Sequence, residues 1–159
     1  MHKTISQAAE LLWTNDFFIS PDDSIKPHRH PYFYHMFFLS KGNRTISLSG
    51  NDYNINEGQA VLASPDTEHG ICCSDSSEDS QFIEIKFIVY SNTLNAALKD
   101  LPPVWNLDIT AQNMMKEIIA MSQKTSGYSK TNIIRYFLGT LLYYICKDVL
   151  EKKNEPSLP

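Results

Sequence analysis

Apolar positions along this chain follow two rhythms. Up to about Tyr90 they come in short runs, several alternating with polar residues, and turn residues break them; from about Asn92 they recur at helical spacing. In the first part, residues 36–39, 44–48, 53–55, 60–63, 70–73 and 82–90 are predicted as strands. The breaks between them fall at Lys41-Gly42-Asn43, Ser49-Gly50-Asn51, Asn56-Glu57-Gly58 and Ser64-Pro65-Asp66. Short strands at such regular spacing predict a barrel or sandwich. Residues 75–80, acidic and without apolar anchors, are predicted as a solvated loop between two strands.

In the second part the spacing predicts a short helix over 93–99, stopped by Leu101-Pro102-Pro103, then helices over 110–123 and 129–153, with Thr110 and Ser129 as N-caps. On the last helix Ile134, Phe137, Leu138, Leu141, Ile145 and Val149 share one face, and Ile133, Tyr136, Leu142 and Leu150 widen the apolar area. Two readings stay open for that face. The helix covers its own barrel, or it also pairs with a twin in a homodimer. The expected organisation is a barrel over 1–91, a helical linker and dimerisation segment over 92–153, and residues 154–159 with the composition of an interdomain linker.

With 159 residues, 42% of them hydrophobic and 20% charged, the chain is expected to build one domain with a sizeable core. Fourteen basic against eighteen acidic side chains leave a formal charge of −4, so no general attraction for a phosphate backbone is expected, and this stretch is not expected to hold DNA by itself. The N-terminus lacks the apolar block and small-residue cleavage site of a signal peptide. The longest apolar stretch, 133–145, is interrupted by Arg135 and falls short of the ~20 residues that span a bilayer. Cys72, Cys73 and Cys146 form neither a disulfide framework nor a thiol zinc site, so a cytoplasmic protein without a membrane partner is expected.

The histidines carry the candidate chemistry. His28 and His30 lie two apart, so on a strand both point to one face and present neutral imidazole nitrogens to one ion. Pro31 interrupts the ladder, and His35 has the wrong parity for a continuous strand; a loop or bulge over 31–34 is required to bring it to the same interior. His69 starts a later strand. Such an imidazole-rich, thiol-free set suits one divalent transition metal, zinc, nickel, copper or iron(II), which ligand type does not separate. The alternative is that these histidines hydrogen-bond inside a polar cavity. Asp22, Asp23, Glu57 and Glu68 are candidate orienting carboxylates, and the spacing selects none of them. Arg44 shares parity with Ile46 and Leu48, which points it inward toward an anionic ligand group, or else it lies on an exposed edge. Tyr32, Tyr34 and Phe37 offer stacking faces to a sugar-like or aromatic small molecule, or else fill the core.

This segment resembles the cupin family, whose first motif reads His-x-His, three or four residues, Glu, six residues, Gly; here His28-Arg29-His30 is followed by four residues, His35, six residues and Gly42. The second motif, Gly through Pro to His, is matched by Gly58, Pro65 and His69. The resemblance implies a mostly β fold, a double-stranded β-helix or jelly-roll barrel followed by two or three α-helices, and carries His28, His30, His35 and His69 onto the metal positions. Two departures stand out: Asp22 replaces the family's leading Gly, and His35 replaces its Glu, which alters the charge balance of an iron or manganese enzyme.

Within the cupins the pattern looks like the N-terminal effector-binding domain of AraC-type bacterial transcription regulators, over about residues 16–153. It rests on His28-Arg-His30, Phe37-Phe-Leu-Ser-Lys-Gly42, Ile46-Ser-Leu48-Ser-Gly50, Tyr53-Asn-Ile-Asn-Glu-Gly58, Ala60-Val-Leu-Ala-Ser-Pro65-Asp-Thr-Glu-His69 and Phe82-Ile-Glu-Ile-Lys-Phe87. That resemblance implies a sensor without enzymatic activity, with a small-molecule effector in the barrel, a homodimer through the C-terminal helices, and DNA contact left to a helix-turn-helix half of about a hundred residues outside this chain. The competing expectation is a stand-alone metal-dependent cupin enzyme, an oxygenase or isomerase, using the metal as Lewis acid or redox centre.

Overall fold

The computed structural model describes residues 8–124 and 128–154. The expected linker beyond residue 154 and the capping side chain of Ser129 lie outside the described residues. Among the described residues nine strands are seen: β1 (Ala9–Ile19), β2 (Ile25–His28), β3 (Tyr34–Lys41), β4 (Asn43–Leu48), β5 (Asn51–Asn56), β6 (Gln59–Ala63), β7 (His69–Ile71), β8 (Ser80–Val89) and β9 (Val104–Asn106). Four helices accompany them: α1 (Asn92–Lys99), α2 (Ile109–Gln123), α3 (Tyr128–Ile145) and α4 (Lys147–Asn154). A five-stranded sheet in the order β1-β8-β3-β6-β9 faces a four-stranded sheet in the order β2-β7-β4-β5, and the fold is mostly β.

Which faces are covered explains the texture of each strand. The four-stranded sheet has solvent on its outside, so β4 alternates, with Arg44, Ile46 and Leu48 buried. The five-stranded sheet is covered on both faces, so β3 and β8 read as nearly continuous apolar runs. On β3, Phe37 and Leu39 point into the barrel with Ile46, Ile55, Val61, Ile71 and Phe82. Met36 and Phe38 point the other way, into a second core with Ile85, Phe87, Leu94, Met115, Ile118, Leu138 and Leu141. One strand therefore serves both the barrel interior and the helical layer.

Turn chemistry sets the register. Ser49 and Gly50, both at positive φ (51° and 76°), make the two-residue connection between β4 and β5. The α2 N-cap is Asp108, whose side chain accepts from the Ala111 N–H at 2.9 Å, rather than the expected Thr110. The long final helix divides at Cys146 into α3 and α4.

The expected dimer face needs correction. Ile134, Leu138 and Leu141 are buried in the core that α3 shares with the sheet, and Ile145 packs against it. Of the five residues assigned to pairing, Phe137 alone is exposed, at 37%, and its outward neighbours are Ile133 and Tyr136. The cause is geometric: α3 bridges β1 and α2, so one wide apolar stripe is used up inside the chain. No described helix is long and apolar enough to cross a membrane.

Candidate metal centre

Four histidines from three strands and one loop converge. His28 ends β2, His30 sits in the loop that Pro31 forces, His35 is the second residue of β3, and His69 opens β7. β2 and β7 pair His28 with His69, and the Asp66 N–H donates to the His30 carbonyl at 2.8 Å, which ties the loop down. One ring nitrogen from each of the four histidines lies within 4.8 Å of the others. His35 and His69 are buried, whereas His28 and His30 are half-buried and open the site to solvent.

The outward nitrogens fix the inward ones. His28 Nδ1–H donates to the Lys26 carbonyl at 3.0 Å and His69 Nδ1–H to the Thr67 carbonyl at 2.8 Å. His35 Nε2–H donates to Glu84 Oε2 at 2.6 Å. Each bond leaves a lone pair on the nitrogen facing the centre. Burial pushes the imidazoles of His69 and His30 down to about 4, and it lowers His35 as well in spite of the Glu84 carboxylate. These rings are therefore neutral near pH 7.

Neutrality tests whether a metal fits. His35 Nδ1 and His69 Nε2 lie 3.1 Å apart with their protons directed elsewhere, so two lone pairs face one another unless a cation lies between them. His28 Nε2 and His30 Nε2 make a second contact of 3.1 Å. Imidazole nitrogens bind transition metals at about 2.0–2.1 Å, which places neighbouring ligand nitrogens about 3 Å apart. The donor set fits a divalent transition metal held by His28, His30, His35 and His69.

Glu84 is the functional residue that sequence reasoning missed. It is 5% exposed, on the barrel side of β8, and its signal was one carboxylate inside the run Phe82-Ile83-Glu84-Ile85. Of the carboxylates considered from sequence, Glu68 pairs with Arg29 at 3.6 Å on the surface. Phe37 does lie at the centre, its ring centroid 3.9 Å from that of His35. Tyr34 does not, because three residues along a strand reverse the face: it stacks on Phe87 at 5.4 Å, and its hydroxyl donates to Asn95 Oδ1 on α1. Tyr32 is 80% exposed on the loop.

Arg44 points inward, as its parity implies, but at the far end of the barrel. Register pairs Leu48 with His69 and Ile46 with Ile71, which leaves Arg44 a further step away, below a layer of Ile46, Ile71, Phe37 and Phe82. Its Nη2 donates to the carbonyls of Ser20 and Asp23. A ligand at the histidines therefore does not reach it.

Gly70 holds β2 against β7. A Cβ there would lie 2.6 Å from the Ile25 carbonyl oxygen and 3.0 Å from Pro27 N, so β2, and His28 with it, would have to move. Gly70→Ala is expected to cost about 1–3 kcal/mol and to weaken zinc binding. Thermal melts with and without zinc check this, and wild-type melts in both would contradict it.

No curated protein matches this sequence at a significant level. A cupin domain model matches residues 16–86. Among solved structures, unsaturated fatty acid bound wild-type ToxT from Vibrio cholerae superposes with a TM-score of 0.56 at 16% identity, over 90% of this chain and 55% of that one. An apo ToxT variant from the same organism gives 0.56 at 15% identity, over 92% and 58%. The protein YhaK from Escherichia coli gives 0.50 at 15% identity, over 64% and 44%. This chain thus spans less than two thirds of the length of those proteins. At such identities the likeness is one of fold. Two antiparallel sheets around a histidine-bearing interior, with a cupin domain over residues 16–86, give this chain the cupin fold, extended by helices packed on its five-stranded sheet.

Proposed function

We propose that this chain is the ligand-sensing and dimerisation module of an AraC-type bacterial transcription regulator, working in the cytoplasm, with a small-molecule effector at the barrel. The observation that carries this reading is the joint likeness of barrel and helices to ToxT, which takes in 90% of this chain and 55% of that one. One ToxT structure contains an unsaturated fatty acid, which supports a small-molecule role for the same fold here. His28, His30, His35 and His69 would hold the metal, which when bound supplies a Lewis-acid centre for a ligand oxygen or nitrogen.

β3 supplies a physical link from site to helices. His35 and Phe37 face the centre, while Met36 and Phe38 between and beyond them pack under α2 and α3. A ligand that shifts His35 moves the floor on which the helices rest, and regulation then requires different affinities for two helix arrangements. The formal charge of −4 leaves DNA contact to a segment outside this chain.

Reading the native gene beyond the codon for Pro159 tests the proposal. A continuing frame of about a hundred basic, mostly helical residues is expected. A stop codon there would overturn it in favour of a metal-dependent cupin enzyme, an oxygenase or isomerase. One observation favours that second reading: the half-buried His28 and His30 leave the centre reachable from solvent.

A further inference from the structure

The barrel-facing row of β8 continues past Glu84 to Lys86. Phe82 lies in the barrel core and Glu84 is bonded to His35, so the same face carries Lys86 to the mouth above the histidines. Register sets Lys86 beside His35 on β3 and beside Trp13 on β1. Its Nζ lies 4.4 Å from the centroid of the Trp13 ring. Among the described residues no carboxylate is within ion-pair distance of that ammonium, because Glu84, the acid on its own row, is engaged with His35.

A cation at this place works against the centre. Positive charge beside the four histidines repels the divalent ion that they are arranged to hold. An anionic group lying between metal and ammonium is attracted by both and removes the conflict. The walls suit a flat or apolar body: Trp13 is 45% exposed, and Phe33 stacks on His30 with centroids 4.5 Å apart.

Building on the metal reading above, we propose that the barrel mouth is a carboxylate-binding subsite, in which a small apolar or aromatic monocarboxylate sets its anionic end between the metal and Lys86 and its body against Trp13 and Phe33. This names the class of small molecule the module takes.

The test uses cobalt(II)-loaded protein titrated with benzoate, read from the visible cobalt spectrum, with neutral benzamide as the charge control. Benzoate is expected to perturb the spectrum of the wild type at a concentration about tenfold lower than that of Lys86→Met, as fits the loss of one charge-assisted contact. Lys86→Arg should retain binding and benzamide should leave the spectrum unchanged. Cobalt affinity, from chelator competition, should be no weaker in Lys86→Met, which separates loss of the anion from damage to the centre. Equal benzoate response in wild type and Lys86→Met, or equal response to benzamide, would overturn the subsite alone. Failure of the wild type to take up cobalt would overturn the metal centre and the subsite together.

Discussion

Adding zinc to the metal-free protein is expected to raise its unfolding midpoint by about 8–16 °C. A ligand held only by the folded state at about a thousand times its dissociation constant stabilises by about 4 kcal/mol, and each kcal/mol shifts a domain of this size by about 2–4 °C. His69→Ala should abolish most of that shift. His69 is buried, its Nδ1–H is fixed on the Thr67 carbonyl, and its Nε2 is the partner of His35 Nδ1 at 3.1 Å. His28→Ala should lose less, since His28 is half-buried at the end of a short strand. Without zinc the ordering changes: removing His69 relieves the opposed lone pairs, so the metal-free variant should melt near the metal-free wild type. Differential scanning fluorimetry on chelator-treated protein checks both arms. The ligand reading would be wrong if zinc shifted wild type and His69→Ala alike, or neither.

How much of this was legible depended on what each residue faces. β4 and β5 follow the alternation of a sheet with one wet face, and their boundaries were readable to within two residues. β1 was not: most of its residues are partly buried or exposed, and an irregularity between Leu11 and Trp13 reverses the parity near its start. The spacing of two brought His28 and His30 together as a pair, although only His28 lies on a strand and His30 sits in the loop after it; the need for a loop before His35 followed from parity. Glu84 was hidden for another reason. Its partner His35 lies 49 residues away, and no local spacing relates the two. The effector set mixed Tyr34 with Phe37, whose separation places them on opposite faces of β3. α3 was ambiguous at source, since apolar residues nearly surround it and only packing decides which stripe is inside.

That ambiguity makes substitutions on α3 behave unlike one another. Leu141 is fully buried between α3 and the sheet, so Leu141→Asp places an unpaired carboxylate in an apolar core. The expected cost is more than about 4 kcal/mol, which consumes a large part of a typical domain's stability and leaves the chain largely unfolded. A change of mass in that variant would therefore report unfolding, not the loss of a partner. Phe137 is the informative position: it points outward beside Ile133 and Tyr136, and Phe137→Asp should leave the melt within about 0.5 kcal/mol of wild type. If the proposed homodimer forms through the free face of α3, Phe137→Asp should shift the light-scattering mass from dimer to monomer while the far-ultraviolet spectrum stays unchanged. A monomeric wild type at high concentration would remove the homodimer from the proposed function. A Leu141→Asp protein that remained folded would contradict the packing of α3 itself, and the two variants together separate the face that builds the domain from the face offered to a second copy.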